Sequence, residues 1–399
     1  MALQALLYGT SFFSGTVDAA FVDPDKPVDE FSKLAAWMKT NGGRVDERVA
    51  VMQVDGIRGG VALADIQQGA ELLHCPWELV IGSNSLQDQM KDMCDVVRSI
   101  EAELRLGETS LWHPYLELDD SLINSRLPTL WDATALDELQ GLAPQDSTRH
   151  IQWFSQYCDG GRPFQEVDEV TKQALLSFIT RASAVGMIPI YDLLNHHNGK
   201  RNAKIALTES GVQLIAFKAI SSGEQIYLSY GIKSASTMYR DYGFVESWPQ
   251  TWTWVEESSS DRYSFVLFPD DIVVINPTEV FLRSIWSTHM PLREFQDKAM
   301  QHTQTLAPED LRRFGAAAYK LLDGLPTSVD EDTVILAGMK ESLLTMNSNG
   351  KNEAQSRIKD AISAVEYRIT FKQAIQIALT VSQATLLVIT GNGSAGQEL

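Results

Sequence analysis

Hydrophobic periodicity changes twice along this chain, and the order of the changes restricts the fold more than any bulk property does. Residues 49–81 read as short strands, "VAVMQV", "GGVALADI" and "AELLHCP", punctuated by Gly56, Gly59, Gly60 and Gly69 in the manner of small, sharply turned β units. From about 86 to 184 the pattern is helical. "MCDVVRSIEAELRLG" repeats apolar residues at three and four, and "VTKQALLSFITRASAV" does so again. Between them "LWHPYLELDDSLINSRLPTLW" is loop-like, with Pro114 and Pro128 as breakers. Strands return in "MIPIYDLL", "AKIAL", "VQLIAF" and "EQIYLSY". A β region split by a helical insertion accounts for this order.

The flanks follow the same logic. "EFSKLAAWMKTNGGRVDERV" sets Phe31, Leu34, Ala35 and Met38 on one helical face and stops at Asn41-Gly42-Gly43, a usual helix exit. After Trp248 a strand pair is expected around "YSFVLFP" and "DIVVINP", then mostly helices. Ile358, Ile362, Val365 and Ile369 form a stripe that should bury against other helices. With 399 residues the chain exceeds one ordinary domain. The expected organisation is an N-terminal tail over 1–30, a core over 31–248 with its insertion at about 86–184, a helical domain over 249–390 and a disordered tail over 391–399.

Charge and cysteine content narrow the partners. Fifty-two acidic against 33 basic residues leave a formal charge of −19, a field that repels phosphate backbones and favours basic partners, so no nucleic acid is expected. Cys75, Cys94 and Cys158 are dispersed and include no CxxC, which suggests neither a disulfide framework nor a thiolate zinc site. A reducing compartment, the cytoplasm, is expected, with an organelle or the nucleus as the alternative. No apolar run stands out as a membrane span, so no membrane association is expected. The first 20 residues carry no Lys or Arg and read as a frayed tail, a removed targeting segment being the other reading.

Three stretches could carry chemistry. "IPIYDLLNHHNGKRN" runs from apolar residues into Asp192, Asn195, His196 and His197. Adjacent histidines diverge and no third lies nearby, so a polar turn is the ordinary reading and a metal site is not expected. In "GEQIYLSYG", Tyr230 shares a strand face with Ile226 and Leu228, which taken singly describes a half-buried core tyrosine. "YRDYGFV" adds Tyr239 and Tyr242. In "DGIRGGVALADI" close glycines would let a ligand reach the backbone, yet no helix or GxGxxG follows, and by itself it is a turn. No GxSxG, HExxH or P-loop pattern occurs, which leaves hydrolase and nucleotidase readings without support.

Taken in order, the glycine-rich stretch, the helical insertion, Arg181, "DLLNHH", "GEQIYLSYG" and "DYGF" resemble the SET-domain methyltransferases, and within them the branch like the RuBisCO large-subunit lysine methyltransferase. The resemblance covers about 31–248 and extends more loosely into "LPTSVDEDTVILAG" and "AVEYRITFKQAI". It implies an α+β fold with a SET-type core of short sheets, a knot-like C-terminal segment and a helical substrate-binding domain. It implies S-adenosylmethionine as cofactor, no metal, and a protein substrate handled by a monomer. Carried over, Asn195, His196, Arg58, Gly59, Gly60 and Arg181 hold the cofactor. Asp192, Arg181 and Tyr242 serve the substrate side, and Tyr230 is catalytic as well as touching cofactor. The implied reaction is methyl transfer to a protein lysine. The spacing between Arg181 and Asn195 is shorter than in the plant lysine enzyme, and "NHHNGK" is similar to the "NHTNG" of the actin-histidine methyltransferase in the same branch, so a histidine acceptor is the alternative. A catalytically idle module serving as a protein-binding adaptor is the reading from another functional class.

Overall fold

The structure is a computed structural model that describes residues 29–54, 57–86, 92–118, 127–142, 148–256, 259–278, 280–282, 297–299, 301–302, 305–346 and 352–391. Of the expected tail over 1–30, residues 1–28 lie outside that set and 29–30 begin α1; of the expected tail over 391–399, residues 392–399 lie outside it. In chain order come α1 (Asp29–Thr40), β1 (Arg44–Val45), β2 (Val49–Val54), β3 (Ile57–Ala62), β4 (Glu71–Pro76), α2 (Met93–Leu106) and α3 (His113–Leu116). They are followed by α4 (Ala133–Asp137), α5 (Arg149–Trp153), α6 (Glu169–Arg181), β5 (Ala203–Thr208), β6 (Gly211–Ala216), β7 (Gln225–Ile226) and α7 (Ala235–Tyr242). The remainder is β8 (Gln250–Val255), β9 (Arg262–Leu267), β10 (Val273–Ile275), α8 (Pro308–Asp323), α9 (Val329–Thr345) and α10 (Asn352–Ile389).

Two compact units result. One comprises the described parts of Gly15–Ser125 and Thr148–Gly231. Its small antiparallel sheets have the orders β1-β4-β6-β5 and β2-β3-β7, so the β core is interrupted by α2, α3, α5 and α6 as the periodicity predicts. β2 and β4 are buried along nearly their whole length, which is why they read as apolar runs rather than alternating ones: β2 exposes only Gln53. In α1, Phe31, Leu34 and Met38 are buried, and Gly42 at φ +85° ends the helix as expected. Asp168 caps α6 by accepting from the backbone N–H of Val170 and Thr171, and α6 packs on α2.

Three expectations for this unit need correction. Gly59 and Gly60 lie inside β3, not in a turn, because a strand there gives backbone room to the segment that crosses it. "MIPIYDLL" is not a strand: Tyr191–Leu193 form a single 3-10 turn, entered through Ile190 at φ +72°, and β7 stops at Ile226. Cys94 and Cys158 form a disulfide across 64 residues of chain, joining the start of α2 to the π-helical turn Phe154–Cys158. Proximity in space, invisible in the spacing, makes that pair, and it removes the cysteine-based reason for a reducing compartment.

The other unit comprises the described parts of Arg126–Ser147 and Ile232–Leu399. The contacts thus divide the chain at 231/232, ahead of the expected 248/249. They also draw α4 out of the insertion, because Trp131, Ala135, Leu139 and Leu142 bury in the C-terminal core beside Trp252, Phe265, Phe314 and Tyr367. β10-β9-β8 is an antiparallel meander; β8 is the strand the sequence reading did not foresee. α8, α9 and α10 pack as helices, with Ser328 and Glu331 closing a capping box at the start of α9. On α10, Ile362 and Val365 are buried but Ile358 and Ile369 only partly. The deeper stripe is Ala364, Tyr367, Phe371, Ala374 and Ala378. Residues Ala354–Ile389 are long and apolar enough to cross a membrane, contrary to the expectation that no such run exists. Here the helix carries a buried ionic cluster. Arg368 and Lys372 both meet the Asp332 carboxylate, at 2.9 and 2.7 Å.

Candidate active site

The polar turn and the chain following β7 are built against each other. Leu228 N–H donates to the Asn195 carbonyl (2.9 Å) and His197 N–H to the Leu228 carbonyl (3.0 Å), a parallel bridge centred on His196. Asn202, wholly buried, completes the junction. Its Oδ1 accepts from Tyr227 N–H (2.9 Å), and its Nδ2 donates to the Gln225 carbonyl (2.9 Å) and to Glu224 (3.2 Å). The accumulation of Asn and His is therefore what a segment needs when it borders irregular backbone that no sheet ladder satisfies.

Tyr230 is placed by two bonds rather than by strand alternation. Its N–H donates to His196 Nδ1 (2.9 Å) and its hydroxyl to the Leu194 carbonyl (2.7 Å), with the two rings 5.1 Å apart. Since Nδ1 accepts, a neutral His196 carries its proton on Nε2. The hydroxyl proton of Tyr230 is committed to Leu194, which leaves the phenolic oxygen as an acceptor at a half-buried position. Ser229 donates to Asn198 Oδ1 (2.7 Å), and His197 Nδ1 accepts from Gly199 and Lys200 N–H (3.1 and 3.2 Å), which close the two ends.

Gly59 and Gly60 border the same segment. A Cβ on Gly59 would collide with Asn195 Nδ2 and Gln225 Nε2, and one on Gly60 with Leu194 Cδ2. With glycine at both positions, the Leu194, Asn195 and Gln225 side chains lie directly on β3, and a Cβ would have to displace them. The half-buried Asn195 amide makes no hydrogen bond to any described residue. Arg58, next in β3, reaches the Leu118 carbonyl at 3.5 Å.

Arg181 ends α6 and its Nη1 lies 3.4 Å from Asp192 Oδ2, with side chains 8% and 1% exposed. The same oxygen accepts a 2.6 Å bond from the hydroxyl of fully buried Tyr115, on α3. Tyr191, beside them, has its phenol pushed up to about 12 by burial and then by the Asp192 charge. Of the nine residues singled out in the sequence, the structure gathers Arg58, Gly59, Gly60, Asn195, His196 and Tyr230 around the Leu194–His196 segment, with Arg181 and Asp192 at its entry. Tyr242 belongs to the other unit, ending α7, with Lys233 Nζ 5.7 Å above its ring. Sequence reasoning missed Tyr115 and Asn202; Asn202 was within the quoted polar stretch, whereas Tyr115 was hidden in a Pro-containing loop. Among the described residues no group of three or more His, Cys, Asp or Glu could hold a metal ion.

No family model matches the chain. The actin-histidine N-methyltransferases of Xenopus tropicalis and Homo sapiens are each 24% identical to it, over 264 and 262 residues. Those stretches are 55% of this chain in both cases and 44% and 43% of the relatives, so the chain matches less than half the length of the curated relatives. Among solved structures, the SET domain of LSMT bound to lysine and AdoHcy aligns with a TM-score of 0.52 at 18% identity, over 92% of this chain and 97% of that one. Rubisco LSMT bound to AdoMet aligns at 0.53 and 19%, with the same coverage. Glycines that let a strand touch an Asn-His segment, and a tyrosine hung from that segment by its hydroxyl, are thus set in an architecture that those alignments match nearly end to end: the chain has the SET-domain fold of LSMT.

Proposed function

We propose that the chain is an S-adenosylmethionine-dependent protein methyltransferase whose acceptor is a lysine side chain. The observation that carries the reading is the Asn195 amide, which bonds no described residue and lies on Gly59, one residue from the carbonyl that anchors Tyr230. The residues fit the cofactor: an amide offering donor and acceptor, two glycines that admit close backbone approach, and Arg58 and Arg181 for a carboxylate. When bound, S-adenosylmethionine supplies an electrophilic sulfonium methyl.

The protein's own part is alignment. A lysine amine, protonated in water at a pKa of about 10.4, must enter neutral, and apolar, desolvating surroundings favour that form. Tyr230, its proton held by Leu194, presents an oxygen that can accept an N–H from the amine or weak CH···O contacts. His196 fixes the Tyr230 backbone. Asp192, whose carboxylate is 1% exposed, serves the acceptor side through the turn it holds. The partner is a protein, with basic ones favoured by the −19 charge over nucleic acid, and the enzyme acts as a monomer.

Incubation with radiolabelled S-adenosylmethionine and a cell lysate, followed by mass spectrometry of the labelled protein, tests the proposal. Methyllysine is the expected product. Methylhistidine would replace the acceptor and keep the chemistry, an outcome favoured by the likeness to the actin-histidine enzymes. Cofactor binding without transfer to any protein would leave an adaptor, and no binding at all would refute the reading.

A further inference from the structure

The helical insertion reaches Asp192 through two side chains, Arg181 at the end of α6 and Tyr115. Tyr115 sits on the one-turn helix α3, with Pro114 in the first turn where its missing N–H is no loss. That helix is pinned to the β core because Trp112 Nε1 donates to the Leu79 carbonyl (2.9 Å). It is pinned to α2 because Ser110 donates to Glu103 (2.8 Å). The Tyr115 ring is 0% exposed, so its place is set by packing. Its hydroxyl has gone to Asp192, at the 2.6 Å typical of a hydroxyl on a carboxylate, a tighter contact than the 3.4 Å of Arg181 on the same oxygen.

Asp192 is the middle residue of the turn Tyr191–Leu193. That turn is entered through Ile190 at φ +72°, a left-handed backbone that a β-branched residue adopts only when its surroundings hold it. It leads directly to Leu194, whose carbonyl bears the Tyr230 hydroxyl, and to Asn195, whose carbonyl bears the Leu228 N–H. We propose that Tyr115 is a positioning residue: acting through Asp192, it holds the 191–195 turn so that the Leu194 carbonyl and the Asn195 amide stand in register with Tyr230. The assignment of these groups to catalysis rests on the proposed function; the clamp itself does not. The insertion is then a brace for the site, and Tyr115 holds the shorter of the two contacts on Asp192 Oδ2.

Amide hydrogen exchange on the whole protein, with S-adenosylmethionine titrated in parallel by calorimetry, tests this. Tyr115→Phe keeps the ring and deletes the hydroxyl. Exchange should rise about tenfold at the Leu228 and Tyr230 amides and stay unchanged in the β5–β6 ladder, and cofactor affinity should fall roughly tenfold. Asp192→Asn should show the same local pattern, and adding Tyr115→Phe to it should change little further, as expected for residues acting in series. Unchanged exchange at both amides in a folded Tyr115→Phe protein would overturn the proposal. So would a uniform rise across both sheets, which marks a tyrosine that only stabilises the unit. If Tyr115→Phe does not fold, Asp192→Asn decides on the same amides. If wild-type protein binds no S-adenosylmethionine, the functional reading falls, and the exchange data still decide whether Tyr115 holds the turn.

Discussion

Tyr230→Phe separates the chemistry of the site from its architecture. The substitution removes one hydroxyl, donated at 2.7 Å to a carbonyl on a residue that is 1% exposed, and leaves the ring beside His196. Loss of that bond, with the Leu194 carbonyl deprived of its donor, costs about 1–2 kcal/mol. For a unit of this size that lowers the thermal midpoint by roughly 2–8 °C and leaves the protein folded at room temperature. The backbone bond from Tyr230 N–H to His196 persists, and Asn195 is untouched, so cofactor affinity should stay within about twofold of wild type. Turnover is different. Without the hydroxyl the proposed acceptor loses a fixed neighbour, and a misplacement of about 1 Å costs on the order of a hundredfold in rate. Steady-state transfer to the identified substrate, calorimetric binding and thermal unfolding on one preparation give the three numbers. Wild-type turnover in the folded variant would refute the argument and make Tyr230 a core tyrosine that happens to be tied down.

Asn195→Ala should behave in the opposite way, because its amide bonds no described residue: stability close to wild type, but cofactor affinity down about ten- to a hundredfold by calorimetry, the value of a hydrogen bond to a charged group. His74, buried on β4, has its pKa held below the usual histidine value by burial and then by the Arg44 charge, against the pull of Glu71. The unfolded chain therefore takes up a proton first, so this stability is whole above about pH 6.5 and falls as pH drops below it. His74→Gln should flatten that limb in denaturant titrations across pH 5–7. Lys372→Met takes one of two cations from Asp332, a buried carboxylate that burial pushes up but that Lys372, Thr327 and Arg368 together hold below its usual range. The cost should be about 3–5 kcal/mol in chemical denaturation, with cofactor affinity of the folded protein unchanged.

Much of the fold was legible because it is written in periods. The exchange of short apolar runs for helical spacing and back gives an interrupted β core, and Phe31, Leu34 and Met38 face inward as their spacing requires. The failures have a common cause, which is that period and spacing are local. Cys94 and Cys158 meet across 64 residues, and Trp131 and Leu139 bury in a core built mostly from residues beyond 232; β8, by contrast, alternates Thr and Trp with the period of a strand and is legible locally. The α10 stripe shifted for the same reason. Arg368 and Lys372 turn inward to meet Asp332, and no apolarity scale sends an arginine and a lysine to the buried face.

The site shows the same division more sharply. Asn195, His196 and Tyr230 read singly as a polar turn and a half-buried core tyrosine, and they become a candidate site through the resemblance carried by the order of the motifs. What the sequence could not supply was the direction of dependence among them. As a strand, "EQIYLSY" would aim Tyr230 by alternation, but the strand stops at Ile226 and the aim comes from His196 and Leu194 across 34 and 36 residues. The resemblance assigns Arg181 to cofactor and substrate and Asp192 to the substrate side. In the fold they meet each other, and a shorter bond on the same Asp192 oxygen comes from Tyr115, in a segment whose prolines mark it as a loop. A residue that acts by holding another leaves no local pattern, since its chemistry consists of where its partner is. The sequence therefore points to the groups that can face a ligand, and the fold is needed to find the ones that aim them.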